Sequence, residues 1–194
     1  MSVIVAMKHN NRIYMASDSQ TSWGDHKINL LERSNRKIQI LNNGILLAHT
    51  GTVKNIKVIL SHSDFFDLPL DGTLTKKYIV QNIIPKLYQC YKENNLLSND
   101  SEIFAKQLPD SYLIAYKDKL FLIDGEFDVT TLEHYAAIGS GSDATLAGLE
   151  KIDPEKSISM QLIDILKVSA SRRHSVSGPY YIIDTEEQAF KVID

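Results

Sequence analysis

The amino-acid sequence predicts a layered α+β sandwich. Four times along the chain, two short apolar runs are separated by residues that favour a turn, which is typical of β-hairpins. Two pairs of amphipathic helical patterns lie between these hairpins. Because strands return after each helix pair, both pairs can cover sheets of the same domain, and we expect residues 1–194 to form a single domain.

The first two hairpins have the clearest turns. Residues 3–8 and 12–17 flank Asn10-Asn11, and residues 36–41 and 45–50 flank Asn42-Asn43-Gly44. Asn and Gly tolerate the positive φ that tight hairpin turns require. Later in the chain the same pattern predicts two further hairpins and one additional strand, which cover residues 111–116 with 119–123, residues 180–183 with 189–193, and residues 134–138.

Four helices are predicted between these strands. Residues 52–62 and 74–94 carry apolar side chains at spacings of three and four, and Pro85 is expected to kink or divide the second helix. Ser142 can cap a helix over residues 143–151. Asp153-Pro154 favours the start of the last helix, because Asp is a good cap and Pro suits the first turn. Its apolar face contains Ile158, Leu162, Ile165 and Leu166. Residues 63–72 and 95–110 are predicted to be surface loops.

Composition argues against several classes of function. Lys plus Arg is 21 and Asp plus Glu is 24, so a net charge of −3 gives no general attraction to nucleic acid or an anionic membrane. The single cysteine, Cys90, cannot form an internal disulfide, and the six histidines lack metal-ligand spacing, so no metal or other cofactor is expected. No apolar run approaches the roughly 18 residues of a membrane span. Since the N-terminus lacks the basic start of a signal peptide, a cytoplasmic location is expected.

The N-terminus contains a candidate nucleophile. Ser2 follows Met1, and removal of Met1 would place the α-amine of Ser2 next to its hydroxyl. An α-amine has an ordinary pKa of about 7.7–8.0, so it can act as the base that activates the hydroxyl. A retained Met1 would convert this nitrogen into a neutral amide. The position alone is equally compatible with an ordinary second residue.

Asp18 and Lys37 are candidate partners of that serine. Asp18 ends the second predicted strand, and Lys37 begins the next hairpin. If the sheets bring them together, Lys37 could lower the pKa of the Ser2 hydroxyl and amine, and Asp18 could orient Lys37. The alternative is a solvated ion pair on the surface.

Six short motifs occur in order along the chain: Ser2-Val-Ile-Val-Ala, Ala16-Ser-Asp18-Ser, Asn35-Arg-Lys37-Ile, Ala48-His-Thr-Gly51, Ile138-Gly-Ser140-Gly141-Ser142 and Arg173-His-Ser-Val-Ser177-Gly178. In order and spacing, from residue 2 to about residue 183, they resemble the catalytic subunits of proteasomes and of HslV-type bacterial peptidases. These proteins are N-terminal nucleophile (Ntn) hydrolases. The resemblance implies a four-layer αββα sandwich, with two antiparallel sheets flanked by helices.

The resemblance also assigns catalytic roles. Ser2 would replace the usual N-terminal threonine of the family as nucleophile, with Asp18 and Lys37 as its acidic and basic partners. Gly51 would supply the backbone N–H of the oxyanion hole, for which a glycine at a strand-to-helix junction is suited. Ser140 would lie near the terminal amine; otherwise the segment from Gly139 to Gly141 is simply a turn before a helix.

Three further groups follow from the same resemblance. Ser177 would be the second supporting serine, whereas Ser177-Gly178 could otherwise be a helix C-cap. His174 stands where the family usually has an aspartate, and it either makes a similar hydrogen bond or marks a site that has lost activity. Thr21, His49 and Val53 are the expected substrate-binding residues.

The implied function is that of a serine-type endopeptidase acting on peptides or unfolded proteins. The implied assembly is a homo-oligomeric ring or double ring, served by a separate ATPase unfoldase. The Phe65-Phe66 pair either contacts a neighbouring subunit or packs under a helix. Two alternatives stay open: a catalytically inactive ring or scaffold subunit, and an Ntn amidase that acts on small molecules.

Overall fold

The computed structural model describes residues 2–23, 26–29, 32, 35–97 and 108–194. Within these ranges the strands form two five-stranded sheets and one two-stranded ribbon. The strands are, in chain order, β1 (Val3–His9), β2 (Arg12–Asp18), β3 (Gln20–Trp23), β4 (His26–Asn29), β5 (Ile38–Ile40), β6 (Leu46–Thr50), β7 (Ser111–Tyr116), β8 (Lys119–Ile123), β9 (Val129–Leu132), β10 (Tyr135–Gly139), β11 (Tyr180–Asp184) and β12 (Lys191–Ile193).

The two sheets are antiparallel throughout. The first has the order β10-β1-β2-β11-β12, and the second has the order β5-β6-β7-β8-β9. Strands β3 and β4 form the separate ribbon.

Helices cover the outer face of each sheet. They are α1 (Val53–Ser61), α2 (Lys76–Tyr78), α3 (Ile84–Glu93), α4 (Ser142–Leu149) and α5 (Ile158–Arg172). One apolar core lies between the second sheet and α1–α3, another lies between the two sheets, and a third lies between the first sheet and α4–α5. This is the predicted αββα sandwich. In the described ranges no helix is both long and apolar enough to cross a bilayer.

Strand β1 shows why the first sheet lies inside the sandwich. Successive side chains of a strand point to opposite faces. Val3 and Val5 pack in the core beneath α5, whereas Ile4 and Ala6 pack against the other sheet. All four are fully buried, so the unbroken apolar run reflects a strand covered on both sides.

The four predicted hairpins are confirmed, with small shifts at their ends. Asn10 and Asn11 adopt φ values of 48° and 59°, as the first turn requires. The predicted strand at 134–138 is observed one residue later, as β10. Strands β3, β4 and β9 were not predicted, because each is only four residues long and lacks a clear apolar alternation.

The helix predictions need two corrections. Ser142 is not the cap of α4, because it is the first helical residue and Gly141 occupies the capping position. Helix α5 does not start at Asp153-Pro154 but at Ile158. The Asp153 carboxylate accepts the Glu155 N–H at 3.0 Å, and this local turn uses the groups that would cap a helix.

The prediction that Pro85 divides its helix is confirmed. A π-helical segment (Ile79–Ile83) separates α2 from α3, and Pro85 lies in the first turn of α3. Proline lacks the N–H that would continue the regular hydrogen-bond ladder, which accounts for the change of helix type.

The predicted surface loops are partly wrong. Phe65 and Phe66 lie in a short 3₁₀ turn, are buried in the core under the helices, and have ring centroids 4.7 Å apart. They therefore pack within the subunit rather than against a neighbour. In the second loop Leu96, Leu108 and Asp110 are buried. Residues 98–107 of that predicted loop lie outside the described residues.

Candidate active site

Antiparallel pairing brings the predicted site residues to one edge of the sandwich. Val3 pairs with Gly139 on one side, and Asp18 pairs with Tyr180 on the other. The start of β1 therefore lies beside the ends of β2 and β10. In the second sheet, Thr50 pairs with Ser111 at the corresponding end, immediately before Gly51.

Asp18 and Lys37 form a buried ion pair next to Ser2. Lys37 Nζ lies 2.6 Å from Asp18 Oδ1 and also donates to the Gln20 carbonyl at 2.6 Å. The same Asp18 oxygen accepts the Val3 N–H at 2.9 Å. Asp18 is fully buried and Lys37 is 8% exposed, so the solvated surface pair, the alternative considered above, is wrong.

Burial and the contact between the two charges have opposite effects on the pKa values of Asp18 and Lys37. Burial raises the pKa of Asp18 and lowers that of Lys37, because it disfavours both charged forms. The direct contact between the two groups opposes both shifts. A lysine whose pKa is lowered by burial is closer to exchanging a proton near neutral pH than an exposed one.

Ser140 lies against the backbone of Ser2, and Ser175 lies next to Ser140. The Ser140 hydroxyl donates to the Ser2 carbonyl at 3.3 Å, and its oxygen is 3.1 Å from the oxygen of Ser175. Gly139 makes this approach possible, because its φ is +96° and a β-carbon there would lie 2.3 Å from the Ser2 carbonyl oxygen. The partner of Ser140 is thus Ser175, whereas the resemblance assigns this place to Ser177.

Ser177 and His174 contact the site through backbone groups. The Ser177 carbonyl accepts the Ser19 N–H at 3.3 Å. The His174 carbonyl accepts the side-chain amide of Gln20 at 3.0 Å, while the His174 side chain is exposed. Ser177 is not a helix cap either, since α5 ends at Arg172.

A small cavity that is open to solvent lies in front of Ser2. It is lined by six of the predicted residues, Ser2, Thr21, Lys37, His49, Gly51 and Val53, together with Asn35, Arg36, Ile56 and Lys57. All three predicted substrate-binding residues therefore face the same space as the predicted nucleophile. The charged side chains among these residues are basic, which makes the cavity attractive to anionic groups.

Asp110 lies beneath the turn that contains Gly51. Its Oδ1 accepts the Thr52 N–H at 3.0 Å, and its Oδ2 accepts from the Asn55 amide at 2.7 Å. Gly51 has a φ of +146°, and a β-carbon on it would lie 1.5 Å from Asp110 Oδ1. Only glycine fits this position.

Sequence reasoning missed Ser175 and Asp110. Ser175 lies inside the motif that ends in Ser177-Gly178, but the family resemblance assigns the supporting role to Ser177. Asp110 was placed in a surface loop, and its position directly before an apolar strand gave no sign of burial. Among the described residues, no cluster of three or more His, Cys, Asp or Glu side chains is arranged to hold a metal ion.

This arrangement can support acyl transfer. It combines a hydroxyl at a cavity, a buried cation beside it, and a glycine turn that presents backbone N–H groups. These are the parts that a nucleophilic hydrolase needs.

No protein-family model matches the chain, and no curated protein sequence matches it. Solved structures match over nearly the full length. The chain is similar to BPH of Thiobacillus denitrificans, with a TM-score of 0.74, 21% identity, and coverage of 94% of this chain and 96% of that one. BPH is also known in complex with epoxomicin.

Two other proteins share the architecture. HslV from Trypanosoma brucei has a TM-score of 0.65 at 13% identity, covering 94% of this chain and 98% of that one. Anbu, an ancestral β-subunit from Yersinia bercovieri, has a TM-score of 0.68 at 16% identity, covering 98% and 86%. The structural likeness agrees with the sequence resemblance, and the chain therefore has the fold of the proteasome-type Ntn hydrolase subunits.

Proposed function

We propose that the chain is a proteasome-like N-terminal serine endopeptidase, with Ser2 as nucleophile after removal of Met1. The observation that carries this proposal is the Lys37–Asp18 pair, in which one carboxylate oxygen contacts both the Lys37 ammonium and the backbone of Val3. Burying two charges costs several kcal/mol per ion before their attraction is counted. A subunit that only supports a ring has no use for such a pair beside an N-terminal serine.

In the processed chain, the α-amine of Ser2 takes the proton of the hydroxyl as the oxygen attacks the substrate carbonyl carbon. The Lys37 charge favours the anionic form of that oxygen, and the Gly51 N–H stabilises the oxyanion. The proton then passes to the leaving amine as the C–N bond breaks, which leaves an ester on Ser2. Water hydrolyses the ester and restores the free hydroxyl.

The proposed substrates are peptides or unfolded proteins, and the proposed assembly is a homo-oligomeric ring or double ring. The similarity to HslV supports both, and any ATPase unfoldase is then a separate protein. Light scattering tests the assembly directly: we expect a large oligomer, and a monomer at micromolar concentration would contradict the ring. No nucleic-acid or membrane role is proposed, since the net charge of −3 gives no general attraction to either.

A catalytically inactive ring subunit is the second candidate. The exposed His174 side chain favours it, because the resemblance implies a buried supporting group at that position. The two candidates differ in one covalent event. Only an enzyme needs the free α-amine of Ser2, and therefore only an enzyme needs the loss of Met1.

The deciding experiment uses protein whose intact mass shows that Met1 is absent. Hydrolysis of peptides with an aryl-amide leaving group should be present in this protein and abolished in Ser2→Ala, because alanine supplies no oxygen to attack the carbonyl. Ser2→Thr should retain activity, and Ser171→Ala, which changes an exposed serine on α5, should match the wild type. A mass increase of one epoxomicin molecule, expected in the wild type but not in Ser2→Ala, gives a second measure of the nucleophile.

Activity that survives in Ser2→Ala would place the chemistry elsewhere. Inactivity of the correctly processed wild type towards diverse peptides, with candidate ATPases added, would favour the scaffold subunit.

A further inference from the structure

The mechanism above does not use Asp110, although its carboxylate is buried beside the site. It is 2% exposed and lies directly before β7, under the floor of the cavity. Four groups surround its two oxygens: the Thr52 N–H at 3.0 Å, the Asn55 amide at 2.7 Å, His49 Nε2 at 3.3 Å and the Tyr91 hydroxyl. The Tyr91 hydroxyl in turn contacts that of Tyr112.

These partners lie on both sides of Gly51 in the chain. His49 precedes Gly51 by two residues and ends up beside Asp110 Oδ1, and Thr52 follows Gly51 and donates to the same oxygen. The carboxylate therefore binds the turn after Gly51 through the Thr52 N–H and lies against the His49 ring before it. Because Asp110 occupies the space of a Gly51 β-carbon, the side chain and the turn also fit each other sterically.

The protonation states suit such a role. Burial acts to raise the pKa of Asp110, but the nearby His49 ring and the hydrogen bonds from Tyr91 and Asn55 outweigh it and hold the pKa below its ordinary value. Burial raises the pKa values of both Tyr91 and Tyr112. At neutral pH the carboxylate is therefore an ionised acceptor, and both phenols keep their protons.

We propose that Asp110 is a positioning residue that fixes the Gly51 turn and the His49 ring, so that the Gly51 N–H points to the oxyanion. The inference rests on the proposed peptidase function. Donors to an oxyanion are effective only if they are oriented before the reaction begins. A single buried carboxylate that accepts from the turn and from α1 and α3 provides this orientation.

The kinetic test compares Asp110→Asn with Asp184→Asn in protein that lacks Met1. Asparagine keeps the volume of Asp110 but replaces one acceptor oxygen by a donor. Asp184 is a matched control, because it is also a buried carboxylate that accepts backbone N–H groups, at the opposite end of its strand from the site.

We expect Asp110→Asn to lower kcat about 10- to 100-fold, somewhat less than loss of an oxyanion donor itself, while KM changes less than about threefold. Asp184→Asn should stay within about twofold of the wild type in both. Tyr91→Phe removes one donor to the carboxylate without changing its charge, and it should lower kcat only about threefold, because the contacts from Thr52, Asn55 and His49 remain.

Amide hydrogen exchange supplies a readout that does not depend on activity. Asp110→Asn should speed exchange in residues 49–56, whereas Asp184→Asn should not. A wild-type kcat in Asp110→Asn would overturn the inference, as would a lowered kcat with unchanged exchange over residues 49–56.

An inactive wild type would contradict the proposed function instead. In that case the exchange rates over residues 49–56 alone test whether Asp110 fixes the turn. If Asp110→Asn does not fold, Tyr91→Phe decides by the same two measurements: faster exchange over residues 49–56 with a lowered kcat supports the inference, and wild-type values in both overturn it.

Discussion

The hydroxyl oxygens of Ser140 and Ser175 lie 3.1 Å apart, and Ser140 also donates to the carbonyl of Ser2. Ser175 is buried, whereas Ser177 is only partly buried and reaches the site through its carbonyl. The geometry thus favours Ser175 as the serine that orients Ser140, in place of Ser177.

This difference predicts unequal effects of two alanine substitutions. Ser175→Ala should lower peptide turnover about tenfold, since one lost hydrogen bond of roughly 1–1.5 kcal/mol corresponds to that factor. Ser177→Ala should change turnover less than about twofold. Steady-state kinetics of the two variants checks this, and the reverse ranking would support the assignment made from the resemblance.

The Lys37–Asp18 pair predicts a stability effect that is independent of activity. Lys37→Met keeps the length of the side chain but leaves the Asp18 carboxylate buried without its cation. We expect a loss of about 3–5 kcal/mol in the free energy of unfolding, the usual cost of breaking a buried pair. The double variant Asp18→Asn/Lys37→Met should recover much of this loss, because no unpaired charge remains.

Urea denaturation of the wild type, Lys37→Met and Asp18→Asn/Lys37→Met measures their free energies of unfolding. Equal destabilisation in the single and double variants would contradict the argument. Both variants should be inactive towards peptides, since each lacks the Lys37 cation.

Substrate choice should depend on His49, which lines the cavity together with Val53 and Ser2. An imidazole at the base of this cavity favours substrates whose residue on the amino-terminal side of the cleaved bond is polar or acidic. A cavity lined only by apolar groups favours apolar residues there. His49→Gly should shift cleavage of fluorogenic peptides away from acidic residues and towards large apolar ones. An unchanged profile would refute this prediction, and His134→Ala, at an exposed position, is the control.

Much of the fold could be predicted because strongly patterned segments dominate it. The four hairpins carry local turn signals, and the order of elements allowed only a few layered arrangements. The failures come from tertiary contacts that a local pattern does not encode. Gln161 illustrates this, since its side chain bonds both backbone groups of Asp153 and fixes the turn in which a helix start was predicted.

The candidate site was likewise predictable only in part. Asp18 and Lys37 were identifiable because their residue types and positions at strand ends indicated a charge pair. Their burial was not identifiable, because it depends on how the two sheets pack. Asp110 and Ser175 were not predicted for a related reason, since each makes its contacts at the site with residues far along the chain.

The charge of Asp110 predicts how stability depends on pH. The pKa of this carboxyl is lowered in the folded chain, and the ordinary value of an unfolded aspartate is about 3.9. The folded state therefore binds the proton less readily than the unfolded state does. It follows that the stabilisation is fully present above about pH 4 and is lost as the pH falls through the folded-state value.

Asp110→Asn removes this titration. At pH 7 the variant should be less stable than the wild type by about 1–3 kcal/mol, as expected when a buried hydrogen-bonded charge is lost. The difference should shrink between about pH 4 and pH 2, because the wild-type carboxyl becomes protonated there. Ile163→Val is the control, since it removes one methylene from the core under the first sheet and should cost about 0.5–1.5 kcal/mol at every pH. Urea denaturation of the wild type and of each variant between pH 7 and pH 2 gives the free energy of unfolding as a function of pH. A difference between Asp110→Asn and the wild type that stays constant from pH 7 to pH 2 would show that Asp110 is not held as a carboxylate by its neighbours.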